Sequence, residues 1–414
     1  MKILLLTAYY WPEHTGNAPF ATGLARYLAS RGHDVTVGTT YPHYPQWKWQ
    51  VSTVRWSGRE QDAGVAIRRS RMVLPRQPRS AAWRIVYDMS AGVATLVNAF
   101  GMARPDVIVA MTAPIQVAIA AGLLATLWRR PLVTYILDMP VDLALSVGML
   151  RPGVISRVGL SIESFGYKLA DRLVVLGDGF SQKLIDRGIP ASRIAHLPIW
   201  LDMDEVRPAE RTKEICHLLE VSPKNKVLLH YGNMGEKQAL RTVIDAAGLL
   251  ADRFADLRVV FVGAGPQRDA LELQARREGY ENVRFIGLQP KERTPEILAA
   301  ADIALLNQHA GVLDSVVPQK LVAYMAAGRP VLAAASPDSG AAGVVRDSGC
   351  GIVVAPGDPK ALADGVGRLL AAPDRLADLG KKGREYAEVH YDSKIVLKRW
   401  ENLLTEVGGP GRRF

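Results

Sequence analysis

Short runs of apolar, often β-branched residues alternate with amphipathic helical stretches along most of the chain, and this alternation constrains the fold more than any other feature. A strand buried on both faces has this composition, and a strand followed by a helix is the repeating unit of a parallel sheet. The alternation occurs in two series. The sequence therefore predicts an α/β protein with two Rossmann-like domains, whose parallel sheets face a central cleft. The predicted strands are KILLLTAYY, HDVTVGTT, DVIVAM, PLVTYILD and RLVVLG in the first series, and NKVLLHYGN, LRVVFVGAG, VRFIGL, ADIALLN, RPVLAAA and GCGIVVAP in the second.

The domain boundaries follow from the same pattern. At 414 residues the chain exceeds the size of one ordinary domain. We expect a first domain over residues 1–200 and a second over 201–385, joined within the polar segment PIWLDMDEVRPAERTK. A helix over 386–408 is predicted to return to the first domain, and the tail 409–414 is predicted to be disordered.

Apolar stretches and cysteines bear on the location of the protein. The first residues have the pattern of a strand rather than of a signal peptide. The longest apolar stretch, APIQVAIAAGLLATLW, has 16 residues, whereas a spanning helix needs about 20, so we expect a buried helix. Cys216 and Cys350 stand far apart, without the spacing of a disulfide framework or a zinc site. The prediction is a cytoplasmic protein, with peripheral contact to the membrane as an open alternative.

Positive charge is concentrated near the start of the chain. Of the formal net charge of +10, residues 1–130 carry most, with 15 Lys and Arg against 6 Asp and Glu. A one-sided basic surface predicts an anionic partner, either a membrane surface or an acidic substrate, although an ordinary solvated surface is the alternative. Nucleic acid is not expected, since no reading motif accompanies the charge. Eight arginines make up the cluster at 55–84: Arg55, Arg59, Arg68, Arg69, Arg71, Arg76, Arg79 and Arg84.

A glycine follows the first predicted strand, in the segment HTGNAPF. Gly16 lets the backbone approach a ligand, and the backbone N–H groups of Gly16, Asn17 and Ala18 would point from the start of a helix towards an anion. An ordinary turn capped by Thr15 is the alternative.

Two further glycine loops follow strands in the second series. In HYGNMGEKQALRTVID we expect Lys237 in the first turn of a helix, where a cation opposes the helix dipole unless an anion lies between them. A plain surface lysine is the alternative. In FVGAGPQRDAL, Gly263 and Gly265 end a strand, but Arg268 occupies the place of the third glycine of a dinucleotide fingerprint. NAD is therefore not expected.

The segment VPQKLVAYMAAGRPVLA is the most specific of the four. Pro318 suits the first position of a helix, and Lys320 then falls in the first turn. Gly328 suits the end of that helix. Two lysines at two helix starts predict one diphosphate held between them.

In order along the chain, several segments resemble the retaining glycosyltransferases of family 4, which have the GT-B fold. The likeness is strongest to the bacterial polysaccharide subgroup exemplified by colanic-acid and fucosaminyl transferases. The segments that carry it are YYWPEHTG, LDMPVD, GNMGEKQAL, FVGAGP, FIGLQPKERTPEILAAADIALL, VPQKLVAYMAAGRPVLA and GCGIVVAPGDPKALA.

The resemblance implies transfer of a sugar from a nucleoside diphosphate to an acceptor hydroxyl, with retention of the anomeric configuration. It implies no cofactor and no metal, with UDP as the first choice of nucleotide and GDP as the second. The first domain would bind the acceptor and the second the donor. The resemblance implies Asp138, Asp142 and Lys237 as catalytic residues. His14 is the candidate replacement for a histidine that many relatives have at position 135, and an exposed loop histidine is the alternative. The predicted donor-binding residues are Gly16, Asn17, Asn233, Gly235, Lys237, Arg241, Gly263, Leu288, Asp314, Ser315, Lys320, Leu321 and Val322. The predicted acceptor residues are Tyr135 and, in the aromatic segment YPHYPQWKWQ, His43, Trp47 and Trp49, for which packing within the loop is the alternative.

Three departures from the family pattern concern the donor more than the reaction. The two glutamate positions of the family signature are occupied by Ser315 and Ala323. Tyr135 stands where many relatives have a histidine, and Asn233 stands where the phosphate loop usually has an arginine. For that arginine, Arg241 and Arg329 are the candidate replacements; for the first glutamate, Asp314 is.

Several alternatives stay open. The acceptor is either a lipid-linked sugar at the membrane surface or a small soluble molecule. Two other classes of function compete with transfer: a sugar-nucleotide 2-epimerase of the same fold, and a non-catalytic protein that binds nucleotide sugars for another transferase. The sequence makes no prediction of the oligomeric state.

Overall fold

The computed structural model describes residues 1–14, 16–77, 80–99, 101–146, 148, 150–311 and 317–409. The chain divides into two compact units. Unit 1 comprises Met1–Pro198 and Val396–Phe414, and unit 2 comprises Ile199–Ile395. Each unit contains one sheet with mostly parallel strands, which confirms the predicted α/β class with two such sheets.

Unit 1 contains an eight-stranded sheet in the order β3-β4-β2-β1-β5-β6-β7-β8. All its neighbouring strands are parallel except β3 and β4. Its strands are β1 (Lys2–Leu6), β2 (Asp34–Thr40), β3 (Ser57–Asp62), β4 (Val65–Ser70), β5 (Val107–Met111), β6 (Leu132–Ile136), β7 (Arg172–Val175) and β8 (Ile194–His196). Its helices before unit 2 are α1 (Ala18–Ser30), α2 (Ala81–Ala99), α3 (Ile115–Trp128), α4 (Pro140–Ser146), α5 (Val154–Lys168) and α6 (Asp178–Asp186).

The hairpin formed by β3 and β4 was not predicted from the sequence. Its first strand, SGREQD, is mostly exposed at the edge of the sheet and has no apolar run. Ala63 and Gly64 form the turn with φ of 46° and 82°, the pair of positive values that a two-residue type I′ turn needs. A polar edge strand gives no hydrophobic periodicity, so only the turn could have signalled it.

The apolar stretch predicted to be a buried helix forms α3. One side is buried through residues such as Val117, Ala121 and Leu124, while Leu123 and Leu127 are exposed. Across the described ranges, no helix combines the length and the apolarity that crossing a bilayer requires.

Unit 2 contains a six-stranded, all-parallel sheet in the order β11-β10-β9-β12-β13-β14. Its strands are β9 (Lys226–Tyr231), β10 (Leu257–Val262), β11 (Val283–Ile286), β12 (Ile303–Asn307), β13 (Val331–Ala334) and β14 (Gly351–Val354). The helices are α7 (Lys213–Leu218), α8 (Arg241–Ala251), α9 (Arg268–Arg277), α10 (Thr294–Ala299), α11 (Gln319–Ala326), α12 (Gly340–Ser348), α13 (Pro359–Leu370) and α14 (Pro373–His390). All six strands of the second predicted series are present.

The last helix, α15 (Ser393–Gly408), completes the core of unit 1. Trp400 is fully buried, and its ring lies 4.8 Å from that of Tyr135 in β6, edge to face. The return of the chain falls later than the predicted residue 386, because α14 packs against α11 and α12 within unit 2.

We expect Trp400→Ala to lower the free energy of unfolding of unit 1 by about 3–5 kcal/mol, because the change leaves a cavity against the central sheet. Urea unfolding followed by circular dichroism measures it. The control is Arg399→Ala at the neighbouring exposed position, which should change stability by less than about 0.5 kcal/mol. Equal stability of the two variants would show that α15 does not complete this core.

Candidate functional site

Two glycine loops at the carboxyl edge of the unit 2 sheet are joined through their backbones. The N–H of Gly232 donates to the carbonyl oxygen of Val262 at 2.9 Å, and that of Met234 donates to Ala264 at 2.9 Å. Gly263 has φ of +142°, and a Cβ there would lie 2.1 Å from the carbonyl oxygen of Gly232. No side chain fits at Gly263, so a glycine is required for this approach. The predicted donor residues of the GNMG loop and Gly263 therefore belong to one rigid pair of loops.

Arg268, which stands in place of the third fingerprint glycine, braces these loops from below. Its guanidinium donates to the carbonyl oxygens of Gly263 at 3.0 Å and Phe285 at 3.2 Å. These carbonyls belong to the ends of β10 and β11. The side chain therefore links two strand ends. In a dinucleotide fingerprint, the glycine at this position lets the helix pack closely on the strand instead.

Lys320 carries a buried ammonium group at the start of α11. Its Nζ makes no hydrogen bond to any residue in the described part of the chain. It lies 3.9 Å from the position that a Cβ on Gly232 would take. Burial lowers the pKa of Lys320 to about 8. A desolvated cation without a counter-charge is costly, and an anion at the glycine loop would relieve that cost.

His230 was missed by the sequence analysis. It is fully buried in β9, and its Nε2 lies 3.3 Å from the carbonyl oxygen of Asn233, to which it donates. Burial, followed by the charge of Lys320, lowers its pKa well below the usual value, so the ring is neutral. The signal was a lone polar residue inside the apolar run KVLLHY. We infer that His230 orients the GNMG loop without adding charge beneath Lys320.

The position of a lysine in a first helical turn does not by itself indicate an anion. Lys213 in α7 and Lys360 in α13 occupy equivalent positions and are exposed. Only burial distinguishes Lys320 from them. Lys237 is also exposed, and its predicted place in a first turn is wrong: it lies in a 3₁₀ turn, and α8 begins only at Arg241.

The start of α11 corrects two predicted contacts. Pro318 is the N-cap rather than the first helical residue. The N–H groups of Leu321 and Val322 both donate to the carbonyl oxygen of Pro318, at 2.9 and 3.4 Å. These amides are therefore used within the helix and are not directed at a ligand. Gln319 and Lys320 supply the amides that the helix itself cannot satisfy.

The other predicted residues of unit 2 fall into three groups. Leu288 follows β11 with 77% of its surface exposed, and Arg241 is exposed at the first position of α8. Arg329 is not a phosphate ligand here, because its guanidinium donates to carbonyl oxygens of Ala209, Ala301 and Ala327. Asp314 and Ser315 lie outside the described residues.

In unit 1, Gly16 and Asn17 precede α1. Gly16 has φ of +62°, and a Cβ there would meet nothing closer than 3.9 Å, so backbone conformation rather than space favours glycine. Asn17 is 92% buried, as the N-cap of α1, but makes no side-chain capping bond. Its Nδ2 has no hydrogen-bond partner in the described ranges. A helix start with a buried, unused donor suits an anion. The neighbouring His14 is exposed.

Two predicted aspartates flank the carboxyl end of β6. Asp138 is half-buried between β6 and α4. Asp142, in the first turn of α4, pairs with the guanidinium of Arg187, which also bonds to Glu163 at 3.1 Å. Asp142 thus already has a cationic partner that ties α4 to α5 and α6. Among the described residues, no group of three or more His, Cys, Asp or Glu is placed to hold a metal.

The aromatic segment YPHYPQWKWQ forms a cluster at the carboxyl ends of β1 and β2. His43 is fully buried, with Nδ1 2.8 Å from the carbonyl oxygen of Tyr41 and Nε2 2.8 Å from the hydroxyl of Tyr87. Burial lowers its pKa to about 4, so His43 is neutral and packs inside the cluster rather than facing an acceptor. Trp47 and Trp49 are half-buried at its surface.

Glu13 holds this aromatic loop in place. It is buried, and its carboxylate accepts the N–H groups of His43 at 2.9 Å and Tyr44 at 2.7 Å. Arg84 lies over the ring of Trp47, 5.0 Å from its centroid. Tyr135, the fourth predicted acceptor residue, is fully buried against Trp400, so the structure places it in the core.

The arginine cluster at 55–84 does not form one surface. Arg69 is 1% exposed; it pairs with Glu60 at 2.8 Å and donates to the carbonyl oxygens of Thr40 and Trp11. Its predicted place on an exposed basic surface is wrong, because its guanidinium is buried and bonded within unit 1, whereas successive residues of a strand such as Arg68 and Arg69 point to opposite faces of the sheet. Arg79 lies outside the described residues.

A serine, a histidine and an aspartate are bonded in series elsewhere in unit 1. Ser181 Oγ lies 2.5 Å from His196 Nε2, and His196 Nδ1 lies 3.1 Å from Asp178 Oδ1. The serine is buried and the aspartate is exposed, the reverse of what a nucleophile and its orienting carboxylate need. This trio therefore joins α6 to β8 and is not a hydrolytic site.

Comparisons with known proteins match both halves of the chain. Residues 15–200 match a family model described as glycosyl transferase 4-like domain, and residues 217–386 match one described as glycosyl transferases group 1. The chain is 29% identical over 413 residues to the putative colanic acid biosynthesis glycosyl transferase WcaI of Escherichia coli K12, covering 97% of this chain and 99% of that relative.

A second relative and one solved structure extend these matches. The probable glycosyltransferase WbjE of Pseudomonas aeruginosa is 25% identical over 332 residues, covering 78% of this chain and 81% of its own. The crystal structure of Anabaena HepE in complex with UDP matches with a TM-score of 0.71 at 18% identity, covering 98% of this chain and 100% of that one.

We expect Lys320→Met to stabilise the protein without ligand by about 1–2 kcal/mol at pH 7, because it removes a buried, unpaired charge. In the wild type, the free energy of unfolding should also rise between about pH 8 and the ordinary lysine value of 10.5. Over that range the unfolded chain binds a proton that the folded chain does not. The variant should lack this contribution.

Chemical denaturation at pH 7 and at several alkaline values measures both effects. The matched control is Lys360→Met, which should leave stability and its pH dependence unchanged because Lys360 is exposed. A loss of stability in Lys320→Met would show that its ammonium already has a partner.

Proposed function

Since this chain belongs to the glycosyltransferases, with a glycosyl transferase 4-like domain and a group 1 domain in a GT-B fold, we propose that it is a retaining, metal-independent enzyme that transfers a sugar from a nucleoside-diphosphate sugar to an acceptor hydroxyl. The single observation that carries this proposal is the buried ammonium of Lys320 beside the glycine loop of unit 2.

The donor diphosphate is assigned to the space beside Gly232. It would meet the ammonium of Lys320, the first amides of α11 and, from the neighbouring turn, the exposed Lys237. Two negative charges placed there supply a counter-ion that Lys320 does not find among the described residues. Leu288, exposed after β11, is assigned to the base.

Catalysis follows from the same charges. As the bond between the sugar and the diphosphate breaks, negative charge grows on the leaving oxygen. A fixed cation therefore stabilises the transition state more than the ground state. The acceptor oxygen forms its bond to the anomeric carbon on the face from which the diphosphate leaves, and the acceptor proton passes to the departing phosphate. In this proposal the positive charge of the lysines neutralises the diphosphate, which a metal ion does in other enzymes. Asp138, Asp142 and His14 remain the candidates in unit 1 for orienting the reacting hydroxyls.

For the donor we propose UDP first and GDP second, because the matched HepE structures contain UDP and, in another crystal, UDP-glucose. For the acceptor we propose a lipid-linked sugar in polysaccharide assembly at the cytoplasmic face of a membrane. The relative named for colanic acid biosynthesis, which matches over almost the whole chain, supports the part of this proposal that concerns polysaccharide assembly. Trp47 and Trp49 offer ring faces for a sugar.

Nucleotide binding is the first test. We expect one of UDP, GDP, ADP and dTDP to raise the melting temperature clearly, since a ligand at about 100 times its Kd adds roughly 2.7 kcal/mol to the stability of the protein. Differential scanning fluorimetry with the four nucleotides in parallel measures this. No shift with any of them would contradict the donor site assigned to unit 2.

The second test addresses the two lysines. Lys320→Ala and Lys237→Ala should each lower kcat/KM by a factor that corresponds to roughly 2–4 kcal/mol of transition-state stabilisation. The measurement is the release of nucleoside diphosphate from the donor that the first test identifies. Lys360→Ala is the control, since Lys360 is an exposed lysine in the first turn of another helix. Near-wild-type turnover in both lysine variants would refute the assigned diphosphate position.

A further inference from the structure

Three neighbouring helices of unit 1 share an exposed apolar surface. α3 packs between α2 and α5. Of the 21 large apolar side chains that are exposed in the described chain, six lie on α2, two on α3 and five on α5. We name the outer sides of these helices the three-helix face. Soluble monomers seldom expose apolar patches of this extent without a partner.

The exposed residues follow helical spacing, so each helix contributes one continuous stripe. On α2 the stripe contains Ile85, Met89 and Val93, each four residues apart. On α5 it runs from Val154 through Val158 and Ile162 to Phe165, at intervals of four, four and three residues. Both helices therefore turn a second apolar side outward, in addition to the side that packs on unit 1.

A groove of about 810 Å³ runs between the stripes. At Gly92, α2 approaches α3 closely, since a Cβ there would lie 3.1 Å from the carbonyl oxygen of Gln116. Met89, Leu123 and Phe165 line the groove. This mainly apolar lining suits contact with hydrocarbon chains.

The charges around the face are almost all positive. Arg157 lines the groove, and Arg129, Arg151 and Lys168 are exposed at the ends of α3 and α5. Within the described parts of the three helices, only two side chains are acidic. Glu163 is buried and paired with Arg187, and Asp88 is half-buried. Neither of these two acidic side chains is exposed.

We propose that the three-helix face docks on an anionic lipid bilayer, with aliphatic side chains among the lipid chains and the surrounding cations at the headgroups. Apolar surface bordered by Lys and Arg is the composition of interfacial helices. A symmetric dimer through this face would bring like charges of two copies together. This proposal rests on the proposed function and extends it, because a protein docked on a membrane would be close to a lipid-linked acceptor.

The test compares two double variants that add the same charge at equally exposed sites. Leu123→Glu with Phe165→Glu changes the face; Leu273→Glu with Val389→Glu changes helices of unit 2. We expect wild type and control to float with vesicles of phosphatidylglycerol and phosphatidylcholine, and the face variant to partition at least about tenfold more weakly. Binding should weaken with salt and be much smaller on pure phosphatidylcholine.

Two further measurements keep the outcomes distinct. The thermal shift with nucleotide reports the fold and the donor site, so an unchanged shift in the face variant separates this proposal from the proposed function. Sedimentation of the wild type without lipid reports self-association. Equal flotation of both variants, no flotation of the wild type, or a wild-type dimer that the face variant dissociates would each overturn the proposal.

Discussion

The buried ammonium of Lys320 is the constraint around which unit 2 is arranged. Its neighbours supply no anion among the described residues: His230 beneath it is held neutral, and the loop facing it presents Gly232. The close approach of Gly263 to Gly232 then fixes that loop in place. A buried charge is thus held beside a fixed loop, at some cost in stability, which is the arrangement expected of a site organised for an anionic ligand before that ligand arrives.

Unit 1 uses its carboxyl edge differently. Its polar groups there are largely committed to internal bonds: Glu13 holds the aromatic loop, His43 is neutral inside it, and Asp142 is paired with Arg187. Trp47 and Trp49 offer aromatic rings at this edge, and the helices of the same unit carry the three-helix face. Unit 2 thus presents a buried cation beside a glycine loop, whereas unit 1 presents aromatic rings and, at the start of α1, the buried side-chain donor of Asn17.

The sequence predicted the α/β class and the order of the long strands because buried parallel strands are short runs that are apolar throughout and that alternate with amphipathic helices. It failed where the outcome depended on tertiary contacts. The polar edge strand β3 has no periodicity, and the burial of Arg69 depends on Glu60 across the hairpin. Lys237 was predicted to be a helical residue, but Ala239 has φ of 44° and separates the 3₁₀ turn of Lys237 from α8. The amides of Leu321 and Val322 were assigned to a ligand because sequence does not show which carbonyl they meet.

The burial of Trp400 against Tyr135 has a consequence for synthesis. On the ribosome, residues 199–392, nearly all of unit 2, emerge before the helix that completes unit 1. Until α15 has emerged, the side of the unit 1 sheet that packs on Trp400 stays uncovered, whereas unit 2 is already able to fold. The unit that is translated first is thus the last to be finished, and its nascent form is the one that most needs protection from aggregation.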